Sequence, residues 1–200
     1  MRTALGILLT ICMTQIAGCA FGTRYIELSY PPAKQVKWSL PETQPAVPGP
    51  RTRNVLLAVN DDRETRDRIG AVSAGFGMDT ASVLTEVNIE VWVYDAIEFE
   101  LNRLGFETFD QRSSPPNASA DRLTADVQRV YWDSTWAYRG EVFLQATLER
   151  SDNEPSVTEY PTKVTSFFSW GDAGRVAGES LTQALQTAIH SMLYDLGYKD

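Results

Sequence analysis

Glu141-Val142-Phe143-Leu144-Gln145-Ala146-Thr147-Leu148-Glu149 alternates apolar and polar side chains almost without a break. A strand turns successive side chains to opposite faces, so Val142, Leu144, Ala146 and Leu148 share one face that has to be covered. Phe143 then stands as an apolar residue on the other face, among Glu141, Gln145, Thr147 and Glu149. Ser151-Asp152-Asn153-Glu154-Pro155 follows as a hairpin connection, and 158–170 reads as the returning strand. Upstream, Leu123, Ala125 and Val127 alternate, and Val130-Tyr131-Trp132 continues the same strand if a bulge absorbs the change of phase. The result is a three-stranded meander.

Two helices supply its cover. Val93, Ile97, Leu101 and Leu104 fall on one helical stripe with Ala96 beside them, between Asn88 as a cap and Gly105 as a stop. From about 175 to 196, Ala177, Leu181, Ala184, Leu185, Ala188, Met192 and Leu196 form a second stripe. The helices end alike, in Leu104-Gly105-Phe106 and Leu196-Gly197-Tyr198, as glycine-capped helices do. Val55-Leu56-Leu57-Ala58-Val59 is a strand candidate buried on both faces, and 106–109 is a shorter one. Between them Gly70, Gly75 and Gly77 mark an irregular loop. The expected fold class is α+β: a mixed sheet of about four to five strands with two helices packed on one face, in a single domain spanning 53–200.

Over 200 residues, 43% hydrophobic and 22% charged content is ordinary for a folded protein. A net charge of -8 argues against a nucleic-acid surface, which needs clustered cations to displace counterions from phosphates. It is an equally poor fit to electrostatic adhesion on anionic lipid, so membrane attachment would need a covalent anchor. Cys12 and Cys19 both precede the domain, which therefore has no disulfide and no thiolate ligand of its own.

The N-terminus provides for such an anchor. Residues 3–23 carry no charge, Arg2 supplies a basic start, and Ala4-Leu5-Gly6-Ile7-Leu8-Leu9-Thr10-Ile11 has the length of a signal-peptide core. Ile16-Ala17-Gly18-Cys19 resembles the bacterial lipobox: an aliphatic residue, two small ones, then cysteine. The resemblance implies that Cys19 takes a diacylglycerol and that a signal peptidase removes 1–18. Two or three acyl chains anchor stably where one does not, each buried methylene adding about 0.8 kcal/mol. Ala20, where sorting to the inner membrane would favour aspartate, points to the periplasmic side of the outer membrane. Six of the ten prolines lie between 31 and 50, so 19–52 is expected to be the lipidated cysteine and a proline-rich tether.

Little in the domain carries chemistry. His190 is the sole histidine, mid-helix, with no acidic partner at an obvious spacing. Asp61, Asp62, Glu64 and Asp67 alternate with Arg63, Arg66 and Arg68, which neutralise them, and the spacing is not that of a calcium loop. Gly75-Phe76-Gly77 lacks the third glycine and lysine of a phosphate loop, and Ser73 and Ser82 lack a nucleophile-elbow context. No catalytic residue, metal site or cofactor is expected. Aromatics are more suggestive: Tyr131, Trp132, Trp136 and Tyr138 crowd together, with Phe167, Phe168 and Trp170 on the returning strand. Phe143, Trp132 and Trp136 are taken as the candidate interaction surface, since exposed aromatics often mark protein interfaces.

Val59-Asn60-Asp61-Asp62-Arg63, Arg68-Ile69-Gly70, Gly75-Phe76-Gly77-Met78-Asp79-Thr80-Ala81 and the ending Leu104-Gly105-Phe106 together resemble the YajG-type bacterial lipoproteins. The likeness covers about residues 50–110, with the later strands matching in layout. It implies membership of an envelope lipoprotein family without an established enzymatic activity and supplies no catalytic residues. The expected function is a membrane-anchored, non-enzymatic interaction or assembly module with an envelope protein partner. The alternative is an auxiliary lipoprotein subunit of an envelope lipid or drug transport system.

Overall fold

The computed structural model describes residues 22–32, 52–73, 78–113, 120–134, 137–150, 153–166 and 173–198. Along the chain run β1 (Gly22–Tyr25), β2 (Asn54–Asp61), β3 (Gly70–Ser73), β4 (Asp79–Leu84), α1 (Ile89–Arg103), β5 (Glu107–Asp110), β6 (Asp121–Ser134), β7 (Tyr138–Arg150), β8 (Asn153–Ser166) and α2 (Ala173–Asp195). The meander β6–β7–β8 is antiparallel throughout, with Leu123 opposite Leu148 and Leu144 opposite Tyr160. Its turn is tighter than 151–155, since Arg150 already pairs with Asn153. The pairing of β6 with β7 shifts between Val127 and Arg129, leaving Gln128 as the extra residue. This bulge keeps Val130 and Trp132 on the same covered face as Leu123, Ala125 and Val127.

One mixed sheet of eight strands results, not four to five. The three additional strands are β1, β3 and β4, of four to six residues each, too short to show an alternating pattern. Gly70, read as part of an irregular loop, instead opens β3. β2 and β3 are two halves of one interrupted strand, both parallel to β6: Val55–Asp61 lies along Asp121–Val127, and Gly70 and Ala71 pair with Trp132 and Asp133. The chain leaves β6 after Asp62 donates to the Val127 carbonyl and returns where Trp132 donates to that of Ile69. A Cβ at Gly70 would stand 2.1 Å from the Trp132 carbonyl oxygen, so this approach requires glycine. Beyond β3 come β4, antiparallel to it, and β1, parallel to β4; β5 is parallel to the far side of β2.

Both helices cover one face of this sheet. The side chains that the alternation and the stripes single out, Val142, Leu144, Ala146, Leu148, Val93, Ile97, Leu101, Leu181, Leu185 and Met192, are all in the buried core. Each such large aliphatic side chain contributes about 1.5 to 3 kcal/mol by leaving water. Asn88 caps α1 by accepting from the Val91 N–H. At the other end Phe106 N–H donates to the Leu101 carbonyl and Gly105 takes φ +81°; Tyr198 and Gly197 repeat the arrangement on α2 with φ +84°. Tyr198 then donates to Asp121 at 2.8 Å, beside the buried Arg150–Asp121 pair.

The expected tether is corrected over 22–32. Gly22–Tyr25 is an edge strand, Ile26 and Leu28 enter the core, and the Tyr30 ring lies edge-on to Phe99 at 5.7 Å. Ile26 N–H donates to the Leu84 carbonyl, and Thr182 of α2 donates to that of Ser29 at 3.0 Å. Ile26-Glu27-Leu28-Ser29-Tyr30 is itself a short apolar–polar alternation. The domain therefore starts before the proline-rich stretch. Residues 33–51 link Pro32 to Thr52 and so join two parts of one fold; with Val36 and Trp38, they lie outside the described residues.

Candidate functional site

The interruption between β2 and β3 produces the most distinctive surface. Opposite the Gln128 bulge, the excursion 62–69 stands away from the sheet, and a groove of about 420 Å³ runs between it and the open face of β6 and β7. Its walls include Arg63, Arg68, Gln128, Arg129, Tyr131 and Phe143. Arg63 is not a solvated loop residue: its side chain is 5% exposed and grips Asp61 with both arms, Nε to Oδ1 at 2.7 Å and Nη2 to Oδ2 at 2.8 Å. Hydrogen bonding from Arg63 outweighs burial and holds the Asp61 carboxyl below its ordinary range. Arg63 Nη1 is buried there without a hydrogen-bond partner.

On the open face, Arg129 lies over the Tyr131 ring at 4.8 Å and reaches Glu141 at 3.3 Å, which Lys163 also meets at 2.8 Å. Phe143, half-buried, pairs across to Arg129 and to Pro161 inside this charged lattice. Phe143 is thus on the face expected of it. Trp132 is not: it is 2% exposed and stacks on Tyr138 at 5.4 Å within the core under the helices. The bulge explains the correction, because alternation restarts at Val130 and puts Trp132 with it. Trp136, Phe167, Phe168 and Trp170 lie outside the described residues.

A second polar centre is buried between the helices and the N-terminal segment. Glu100, 0% exposed, accepts from the Tyr30 hydroxyl at 2.5 Å and from Gln186 Nε2 at 3.3 Å; Arg103 Nη2 lies 2.7 Å from its other oxygen. His190 Nε2 stands 3.4 Å from Oε1, so this histidine has an acidic partner ninety residues away in the chain. Burial alone would push the Glu100 carboxyl up; hydrogen bonds from His190, Tyr30, Arg103 and Gln186 outweigh it and hold the group at about 2. Burial, then the neighbouring carboxylate, raise the Tyr30 hydroxyl. One signal for Glu100 was present in the sequence, a charged residue set into the apolar stripe between Ile97 and Leu101.

Glu100 is enclosed, and the hydrogen bonds around it hold its carboxyl ionised. Ser73 donates to the exposed Asp79 at 3.0 Å. Among the described residues no three His, Cys, Asp or Glu side chains gather as metal ligands would. Asp61 is committed to Arg63, which takes it out of any cation loop.

No protein-family model matches the sequence, and neither does any curated protein. Among solved structures, the chain is similar to a Xanthomonas campestris protein of family DUF330, with TM-score 0.48 and 10% identity over 87% of this chain and 92% of that one. It is also similar to an uncharacterised protein, with TM-score 0.47 and 9% identity over 88% and 97% of the two chains. Likeness at this level says nothing about ligand, partner or activity.

Proposed function

We propose that the chain is a bacterial lipoprotein, acylated at Cys19 and held on the periplasmic side of the outer membrane, whose α+β domain is a non-enzymatic docking module for an envelope protein. Ile16-Ala17-Gly18-Cys19, at the end of an uncharged apolar run, carries the anchoring part. The resemblance of residues 50–110 to the YajG-type lipoproteins supports it. Among the described residues no helix is long and apolar enough to cross a membrane. Docking falls to the groove beside Phe143, where an aromatic floor is ringed by Arg68 and Arg129 and the enclosing sheet face is otherwise polar.

Cys19→Ala is expected to abolish labelling by a palmitate analogue and to release the protein into the soluble fraction. Continued labelling of that variant would falsify the anchor. In intact cells, a photocrosslinker replacing Phe143 should capture a discrete protein partner. Crosslinks no stronger than those from a probe at Val157, exposed on β8, would remove the groove from the proposal.

A further inference from the structure

β6 is paired on both sides along most of its length, but one stretch of it is paired on one side alone. β2 leaves at Asp62, whose N–H donates to the Val127 carbonyl, and β3 joins where Trp132 N–H donates to the Ile69 carbonyl. Successive residues of a strand direct their N–H and C=O to opposite sides. Val130 therefore turns both groups the way Trp132 does, while Arg129 and Tyr131 turn theirs toward β7. The result is one donor and one acceptor directed into the gap between Asp62 and Ile69. Among the described residues no group meets either of them. Val130 is 3% exposed, and buried main-chain groups of this kind are nearly always partnered.

The groove beside Phe143 reaches this pair. Val130 is one of its walls, yet its side chain belongs to the core under the helices, so it is the main chain that lines the groove. Phe143 and Tyr131 supply apolar surface next to it. Arg129 shares Glu141 with Lys163, and Arg68 stays 3.9 Å from Asp79, so each guanidinium has N–H groups left over. Arg63, another wall residue, holds Nη1 buried without a hydrogen-bond partner. Asp62 and Glu64 also line the groove; they would repel a run of acidic residues, but not a single carboxylate set against the arginines.

We propose that this gap is a main-chain recognition site. A short extended segment of a partner protein enters from the open face and pairs with Val130, giving an N–H to its carbonyl and a C=O to its N–H. One apolar side chain of the segment packs on Phe143, and one carboxylate meets Arg68 and Arg129. A peptide main chain is the ligand that offers a donor and an acceptor at strand spacing. From Val127 to Trp132 the gap is about 16 Å long, room for about four extended residues. This deepens the docking reading of the groove and rests on it.

Phage-displayed random octapeptides, selected against the full-length protein in detergent micelles, supply the probe. Selected peptides should carry an apolar residue beside Asp or Glu, and Phe143→Ala should weaken their binding. Methylating the peptide amides one at a time separates main-chain from side-chain recognition. One position should lose about tenfold in affinity, as removal of one hydrogen bond does, while its two neighbours change by less than about twofold. Selection of no peptide that Phe143→Ala weakens, or methylation effects equal at every position, would overturn the main-chain site. If a photocrosslinker at position 143 still captures a discrete protein in cells, the docking reading survives that result; without the crosslink both fall.

Discussion

The two flanks of β6 are stabilised by different means. On one side, β7 and β8 run antiparallel for thirteen and fourteen residues; β7 contributes Val142, Leu144, Ala146 and Leu148 to the core, and β8 adds Tyr160 and a Thr162 hydroxyl that donates to the Ala184 carbonyl of α2. On the other, β2 lies along β6 through seven residue pairs, but beyond the interruption β3 touches β6 through only two, and β4 and β1 extend the sheet from there with strands of six and four residues. That flank is closed by point contacts made by the N-terminal segment: Tyr30 on Glu100, Thr182 on Ser29, and the Glu27 carbonyl, against which a Cβ at Gly178 would stand at 2.3 Å. Apolar area distributed over local hairpins tolerates the loss of any one contact better than a few long-range ties do. The meander should be the last region to open and the β1 edge the first.

The largest expected effect comes from cutting the second flank away. A chain beginning at residue 33 loses β1 with Ile26, Leu28 and Tyr30, and urea denaturation should show a loss of about 5 to 8 kcal/mol or no cooperative transition. Stability equal to that of a chain beginning at residue 20 would mean that the N-terminal segment is an accessory. Next, Leu144→Ala in the meander should cost about 2 to 5 kcal/mol as a core truncation, without loss of two-state unfolding.

Glu100→Gln sharpens the contrast by keeping the shape and removing the charge, and should cost about 1 to 3 kcal/mol. Its pH dependence has a definite sign. The folded carboxyl sits at about 2 against an ordinary 4.5, so its contribution is present above pH 4.5 and is lost as pH falls towards 2. In the Gln variant this part of the acid destabilisation should vanish from chemical denaturation curves taken across that range; an unchanged profile would assign it to other carboxylates. The smallest effect belongs to Phe143→Ala, on the open face, at under about 1 kcal/mol. A loss as large as that of Leu144→Ala would mean that Phe143 is a core residue and the groove is not a docking surface.

The meander and both helices were legible because each repeats its period over many residues, as Val142 to Leu148 and Ala177 to Leu196 do. The short strands were not. In β4 only Ala81 and Val83 are buried, and the alternation of Ile26, Leu28 and Tyr30 stands between a signal segment and prolines that read as spacer. Phe143 could be placed on the open face from its own strand. Trp132 required carrying the bulge at Gln128 through to its consequence, a reversal of faces. Arg63 and the pairing of Glu100 with His190 depend on tertiary placement: a mixed-charge loop looks solvated until Asp61 is seen to face inward, and no local spacing connects residues 100 and 190.

The direction of β1 also bears on force. β1 runs parallel to β4 with four successive residues in register, and the chain enters it at Gly22. A pull transmitted from upstream along the strand axis loads those rungs side by side in shear, so they must give way together. A pull from the opposite flank, across the β8 edge, would peel its rungs one after another. These four residues, which make one of the three shortest strands in the sheet, thus face a tug from upstream in their strongest orientation.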